Sequence, residues 1–147
     1  MSEPAKDLKA LGAGATTYKY DKPDATLLER FPNPMPVKGD ALNASFIASW
    51  VKISIPEFSS LCPKTGQPDF ATIIIEYRPR EWCVESKALK MYGMSYRMHG
   101  EFHEACIARM AADLCELLDP LELKIEGRFT PRGGIPFWPR IHIITTA

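Results

Sequence analysis

A cysteine followed seven residues later by a carboxylate, Cys62 and Asp69 in Leu61-Cys62-Pro63-Lys64-Thr65-Gly66-Gln67-Pro68-Asp69, is the first arrangement in this chain that could do chemistry. A turn there would bring a thiol nucleophile and a proton donor together. The plainer reading is a hairpin loop whose Pro and Gly set backbone angles while the Cys fills space. In His99-Gly100-Glu101-Phe102-His103-Glu104 the two histidines stand one helical turn apart, as a pair of metal ligands would, though not in the H-E-x-x-H order of a zinc hydrolase. Alternatively, Glu101 and Glu104 complement the positive end of a helix, or Glu104 beside His103 accepts the N–H groups of a planar heterocycle.

Two further segments carry cations. Glu85-Ser86-Lys87-Ala88-Leu89-Lys90-Met91-Tyr92 puts Glu85 and Ser86 at a predicted helix start, with Lys87 and Lys90 one turn apart. That suits an anion such as the phosphate of a nucleotide cofactor, or else an ordinary solvated lysine face with a Ser cap. Thr130-Pro131-Arg132-Gly133-Gly134 is a turn that holds a phosphate through Arg132 or merely links two strands. Gly12-Ala13-Gly14 is no dinucleotide fingerprint: no strand precedes it and the third glycine is missing, so a nicotinamide cofactor would bind without a Rossmann fold.

The elements that must position these residues follow from periodicity. Residues 1–43, with Pro4, Pro23, Pro32, Pro34 and Pro36, read as an arm or lead-in, and residues 44–147 as a single folded domain. Alternation from Ala44 to Ile55 predicts a strand. Phe70 to Tyr77 predicts another, apolar enough to be covered on both faces. Ser59 to Asp69 between them reads as irregular. Ser86 to Met94 is a short helix, and His99 to Leu118 a longer one closed by Asp119-Pro120. Leu123, Ile125 and Phe129 alternate with charges in a half-buried strand, and Arg140 to Thr146 is the last. The order β-β-α-α-β-β predicts an α+β fold, an antiparallel four-stranded sheet with both helices on one face. Its two open edges suggest subunits joining sheet to sheet in a ring, with sites at the seams.

Composition sets the limits. The chain has 147 residues, 46% hydrophobic and 24% charged, enough for one core without staples. Eighteen Lys+Arg against eighteen Asp+Glu give a formal net charge of +0, which lacks the basic footprint of a nucleic-acid binder. With no apolar membrane-length run and no signal-like N-terminus, the expected place is the cytoplasm, where Cys62, Cys83, Cys106 and Cys115 would be free thiols.

Taken jointly, EFSSLCPKTGQPDF, VESKALKMY, HGEFHE and FTPRGG, in this order from Glu57 to Gly134, resemble the 7-cyano-7-deazaguanine reductases of queuosine biosynthesis in their short, single-module form. The resemblance implies the tunnelling fold, pentameric rings stacked into a decamer, NADPH as cofactor, and reduction of a nitrile to a primary amine without a metal. It makes Cys62 the nucleophile that forms a covalent thioimide and Asp69 the proton donor. It places Val84, Glu85, Ser86, His103 and Glu104 on the substrate, and Lys87 and Lys90 in the cofactor motif. Arg132 is a further candidate, for the cofactor's 2′-phosphate. Met91 and the tail IPFWPRIHIITTA depart from the family pattern. Cys106, two residues after Glu104, is expected to be able to form a reversible disulfide with Cys62 that protects the nucleophile. Competing readings are a zinc-dependent cyclohydrolase or pterin synthase of the same fold, using Cys62, His99 and His103 as ligands, and a purine-binding ring protein without catalysis.

Overall fold

The computed structural model describes residues 8–9, 17–35 and 48–146. Gly12-Ala13-Gly14 and the start of the strand predicted from Ala44 lie outside them. In chain order the elements are β1 (Arg30–Pro32), β2 (Val51–Leu61), β3 (Pro68–Arg78), β4 (Trp82–Val84), α1 (Ser86–Met94), α2 (His103–Leu118), β5 (Glu122–Phe129) and β6 (Arg140–Ile144). The main sheet is antiparallel in the order β2-β3-β5-β6, and β1 pairs with β4 in a separate two-stranded ribbon.

One face of the sheet carries Ile73, Ile75, Leu123, Ile125 and Phe129, all at most 1% exposed, and both helices bury their apolar sides against it. From α1 come Leu89 and Tyr92; from α2 come Cys106, Ile107, Met110, Leu114 and Leu118, at the three- and four-residue steps the sequence shows. Gly127 in β5 makes this packing possible, because a Cβ there would stand 2.7 Å from Ile107 Cδ1. Asp119 ends α2 in the left-handed region with φ 42°, its N–H donating to Cys115 O, and Pro120 then prevents continuation.

Four expectations change. β2 does not stop at Ile55 but runs on to Leu61, because Pro56, which has no N–H to donate, is absorbed in a bulge between Ile55 and Phe58. The bulge resets the alternation, so that Phe58 and Ser60 join Ile53 and Ile55 on the helix side. The irregular connection therefore shrinks to Cys62–Gln67, with Ser60 paired to Asp69 and Leu61 to Pro68. Among the described residues nothing buries the other face of β3: Thr72, Ile74 and Glu76 are half-buried there, in a charged surface where Glu76 pairs with Lys52 at 3.2 Å. The longer helix begins at His103 rather than His99. Finally, the lead-in contributes structure, since Arg30–Pro32 pairs with Trp82–Val84 and Leu28 enters the core; three residues are too few for a period to show.

Among the described residues no helix is long and apolar enough to cross a membrane.

Candidate active site

Cys62 is the first residue beyond β2. Its N–H donates to Gln67 O at 2.8 Å and its carbonyl accepts from Gly66 N–H at 2.9 Å, so the hairpin loop closes tightly, with Gly66 at φ 69°. The segment entering α2 lies alongside: Leu61 N–H donates to His99 O at 2.9 Å, and Glu101 N–H to Leu61 O at 3.1 Å. A Cβ on Gly100 would come to 3.2 Å from Pro63 Cα, so a glycine is what allows this close approach. The result brings the start of α2, and His103 with it, to the hairpin that carries the thiol.

Around Cys62 three side chains from distant parts of the sequence converge. Arg132 Nη1 donates to Cys62 Sγ at 3.6 Å, while its Nε donates to Asp69 Oδ1 at 2.7 Å and its Nη2 pairs with Asp69 Oδ2. Asp69 is 4% exposed, one position past the start of β3 and on the helix side of the sheet. His103 Nε2 lies 3.2 Å from Asp69 Oδ2, but at an angle that makes no hydrogen bond, so this buried nitrogen is left without a donor or acceptor partner. Phe129 holds the imidazole flat, with ring centroids 3.8 Å apart and planes within 7°. The Cys62 thiol is brought down to about 7, first by the Thr65 hydroxyl, then by the Lys64 and Thr65 backbone N–H groups, with the Arg132 charge adding to them. Burial pushes the other thiols the opposite way: Cys106 rises to about 12, and Cys83 and Cys115 also rise. All four are free thiols.

The remaining candidates fall in three places. Val84, Ser86 and Lys90 line a cavity of about 530 Å³ between β2 and α1, floored by Ile53, Ile55 and Leu89 and edged by Lys90 and Arg97. Ser59, three residues before Cys62, is in the same wall and accepts from Arg97 Nε at 3.3 Å, which connects the cavity to the end of β2. Glu85 is buried, and its carboxylate caps α1 by accepting from Lys87 N–H at 3.0 Å and Ala88 N–H at 2.7 Å. An anion at this helix start would meet a site already filled by that carboxylate. Lys87 is half-buried in that same first turn of α1, and Glu104 is exposed in the first turn of α2, with no side-chain hydrogen bond among the described residues.

The two histidines are separated by their partners. His99 Nε2 sits 3.4 Å from Glu101 Oε2, and Glu101 in turn grips Arg109 at 2.7 Å, while His103 faces Asp69. Among the described residues, no three His, Cys, Asp or Glu side chains gather in a way that could hold a metal ion. Sequence reasoning missed Thr65, whose signal was its place two residues before Gln67 in a Ser/Thr turn, its Oγ1 accepting from Gln67 N–H at 3.2 Å. It also missed the stacking role of Phe129, for which a strand pattern offers no signal.

A thiol near neutrality, a carboxylate and a guanidinium at one hairpin can be compared with known proteins. The QueF-like protein family matches residues 68–146. The NADPH-dependent 7-cyano-7-deazaguanine reductase of Streptococcus mutans is 50% identical over 137 residues, covering 93% of this chain and 78% of the relative. This chain belongs to the 7-cyano-7-deazaguanine reductase family. Other reductases of the same name agree: that of Bacillus cytotoxicus is 47% identical, covering 95% of this chain and 78% of the relative. That of Parvibaculum lavamentivorans is 47% identical over 94% of this chain and 84% of the relative. The apo archaeosine synthase QueF-Like superposes with a TM-score of 0.61 at 20% identity, over 66% of this chain and 95% of its own, and shares the fold. Of the positions singled out in the sequence, Cys62, Asp69, His103 and Arg132 thus gather at the β2–β3 hairpin, and Val84, Ser86 and Lys90 line a largely apolar cavity beside α1.

Proposed function

We propose that this chain reduces the nitrile of 7-cyano-7-deazaguanine to the aminomethyl group, in queuosine biosynthesis, through a covalent thioimide on Cys62. The observation that carries the mechanism is a Cys62 thiol lowered to about 7 with Arg132 at 3.6 Å from its sulfur, the same guanidinium gripping Asp69 at 2.7 Å. A nitrile carbon is a poor hydride acceptor; addition of the thiol makes a C=N that accepts hydride readily. Cys62 sulfur bonds to the nitrile carbon, and Asp69 delivers a proton to the nitrogen. After the first reduction Cys62 leaves as thiolate, and the imine that remains must be kept from water until the second. His103, clamped on Phe129 with a free Nε2, and the exposed Glu104 carboxylate beside it supply acceptors and donors for the edge of a deazaguanine ring.

NADPH is assigned to the cavity beside α1, whose apolar floor suits a ring and whose Lys90 and Arg97 suit phosphates, the two cations outweighing the one carboxylate of the lining, Glu57. When bound it supplies the hydrides. The cavity runs along β2, an outer strand of the sheet. A second copy pairing there would close it, so the reading includes a ring in which subunits share sites. NADPH absorbance on addition of 7-cyano-7-deazaguanine tests the function: two NADPH consumed per nitrile, with none consumed by Cys62→Ala, is expected. Wild-type protein that leaves NADPH untouched, or a Cys62→Ala variant that still turns over, would refute it.

A further inference from the structure

The lead-in ahead of β1 does more than supply a strand: Tyr18 and Tyr20 reach the cavity beside α1 and meet the two cations of its lining. Tyr20 O accepts from Met98 N–H at 2.7 Å, and Asp24 N–H donates to Ser95 Oγ at 3.2 Å, so this segment is pinned at two points to the turn that follows α1. The Tyr18 and Tyr20 rings stack with centroids 6.3 Å apart and planes within 11°. Lys90 Nζ lies 5.5 Å from the centre of the Tyr18 ring, and Arg97 Cζ lies 5.8 Å from that of Tyr20. Arg97 is held from a second side by Ser59 Oγ, which accepts from its Nε at 3.3 Å. Among the described residues neither cation forms an ion pair, and Glu57, the carboxylate of the same lining, is exposed. Neither tyrosine belongs to the hydrophobic core, so their place at the cavity is not a by-product of core packing.

Resting on the assignment of NADPH to this cavity, we propose that Tyr18 and Tyr20 are positioning residues of the cofactor site, whose ring faces hold Lys90 and Arg97 in place for the phosphates. Long cationic side chains at a surface lose much rotamer freedom when they grip a ligand. An aromatic face attracts a cation through its quadrupole and leaves the charge uncancelled. A carboxylate in the same place would instead compete with phosphate. The rings therefore do part of the ordering before the cofactor arrives, and both cations stay free to donate to it. Lys90 comes from α1, Arg97 from the turn after it and the tyrosines from the lead-in, so the phosphate subsite is complete only with the lead-in docked.

The test is the dissociation constant of NADPH, measured by titration calorimetry without the nitrile, in wild type, Tyr18→Leu, Tyr18→Phe, Tyr20→Leu and Tyr20→Phe, each also assayed for kcat and for the KM of NADPH. Leucine keeps apolar bulk and removes the ring face, whereas phenylalanine keeps both. Each leucine variant should bind NADPH about two- to fivefold more weakly, with the KM raised by the same factor and kcat changed less than about twofold, and each phenylalanine variant should bind as wild type does. In Lys90→Met, which lacks the cation, adding Tyr18→Leu should change the dissociation constant less than about 1.5-fold, and Tyr20→Leu should behave likewise in Arg97→Met. Equal weakening by leucine and phenylalanine, or a full effect of the leucine without the cation, would overturn the proposal. Tighter binding by the leucine variants would overturn it too, by making the lead-in a barrier to the cofactor. Should a leucine variant fail to fold, Tyr18→Met or Tyr20→Met, which fills the space without a ring, takes its place under the same criteria. Wild-type protein that binds no NADPH would overturn the cofactor assignment and the proposal together, whereas wild-type binding that does not depend on the rings would overturn the proposal alone.

Discussion

Cys62 differs from the other three cysteines in environment, not in chemistry. Thr65, two backbone amides and Arg132 favour its thiolate, whereas Cys106 is fully buried on the sheet side of α2, near the negative charges of Glu101 and Asp69. Brief treatment with iodoacetamide at pH 7.5 should therefore modify Cys62 first, as peptide mass mapping would show, with the half-buried Cys115 slower because its thiol is raised, and Cys83 and Cys106 following only on unfolding. The sign is fixed by the lowered value: above about 7 the thiolate dominates, and below it the labelling rate should fall about tenfold per pH unit. Labelling of Cys106 ahead of Cys62 in native protein would contradict this. The thiol and the carboxylate were legible from spacing, because a Pro- and Gly-rich loop between two apolar runs leaves few ways to connect them. The place of Arg132 was not, because it depends on how a two-glycine turn registers against a strand 60 residues earlier, and a sequence pattern holds no information about cross-strand register of that kind.

At the level of elements, small residues set the approach distances that build the site. Gly127→Ala would drive a Cβ into Ile107 and is expected to cost about 1–3 kcal/mol, measurable as a lower urea midpoint at unchanged m-value. Gly100→Ala acts on different ground, pressing on Pro63 Cα beside Cys62. It should shift the Cys62 loop and lower kcat roughly tenfold or more while costing less than about 1 kcal/mol of stability, since the contact lies at an exposed turn. Equal losses from both variants in the two assays would contradict that division. Glu85→Ala should lose about 1 kcal/mol in urea unfolding, because it strips α1 of its cap. The helices were legible from their periods to within a few residues, and α1 at both ends. β2 was misplaced because the reading stopped at Pro56, and only a bulge, invisible to strict alternation, carries the strand past a proline and puts Ser60 opposite Asp69.

For the molecule as a whole, one sheet face is used internally and the other is a charged surface with Lys52, Glu76, Glu122, Lys124 and His142 in paired contact. β2 and β6 stand at the sheet edges, and Phe137, Trp138 and Ile144 are exposed near β6, at 51%, 58% and 71%. A lone subunit would leave unpaired edges and this apolar surface in water. Sedimentation velocity is expected to show an assembly of more than two copies, and a concentration-independent monomer with full activity would contradict shared sites. The α+β architecture was legible because β-β-α-α-β-β with short connections permits few arrangements; the division of the motif residues between a thiol cluster and a cavity was not, because it arises only when the hairpin, α1 and the β5–β6 turn are packed around one sheet.

Formation of a bond between Cys62 and the nitrile carbon is read most directly by intact-protein mass spectrometry after incubation with 7-cyano-7-deazaguanine in the absence of NADPH. The predicted result is a mass increase of one substrate molecule per chain, mapped to Cys62, absent in Cys62→Ala and lost again when NADPH is added. An unmodified wild-type chain that nevertheless reduces the nitrile, or an adduct that persists in Cys62→Ala, would contradict it.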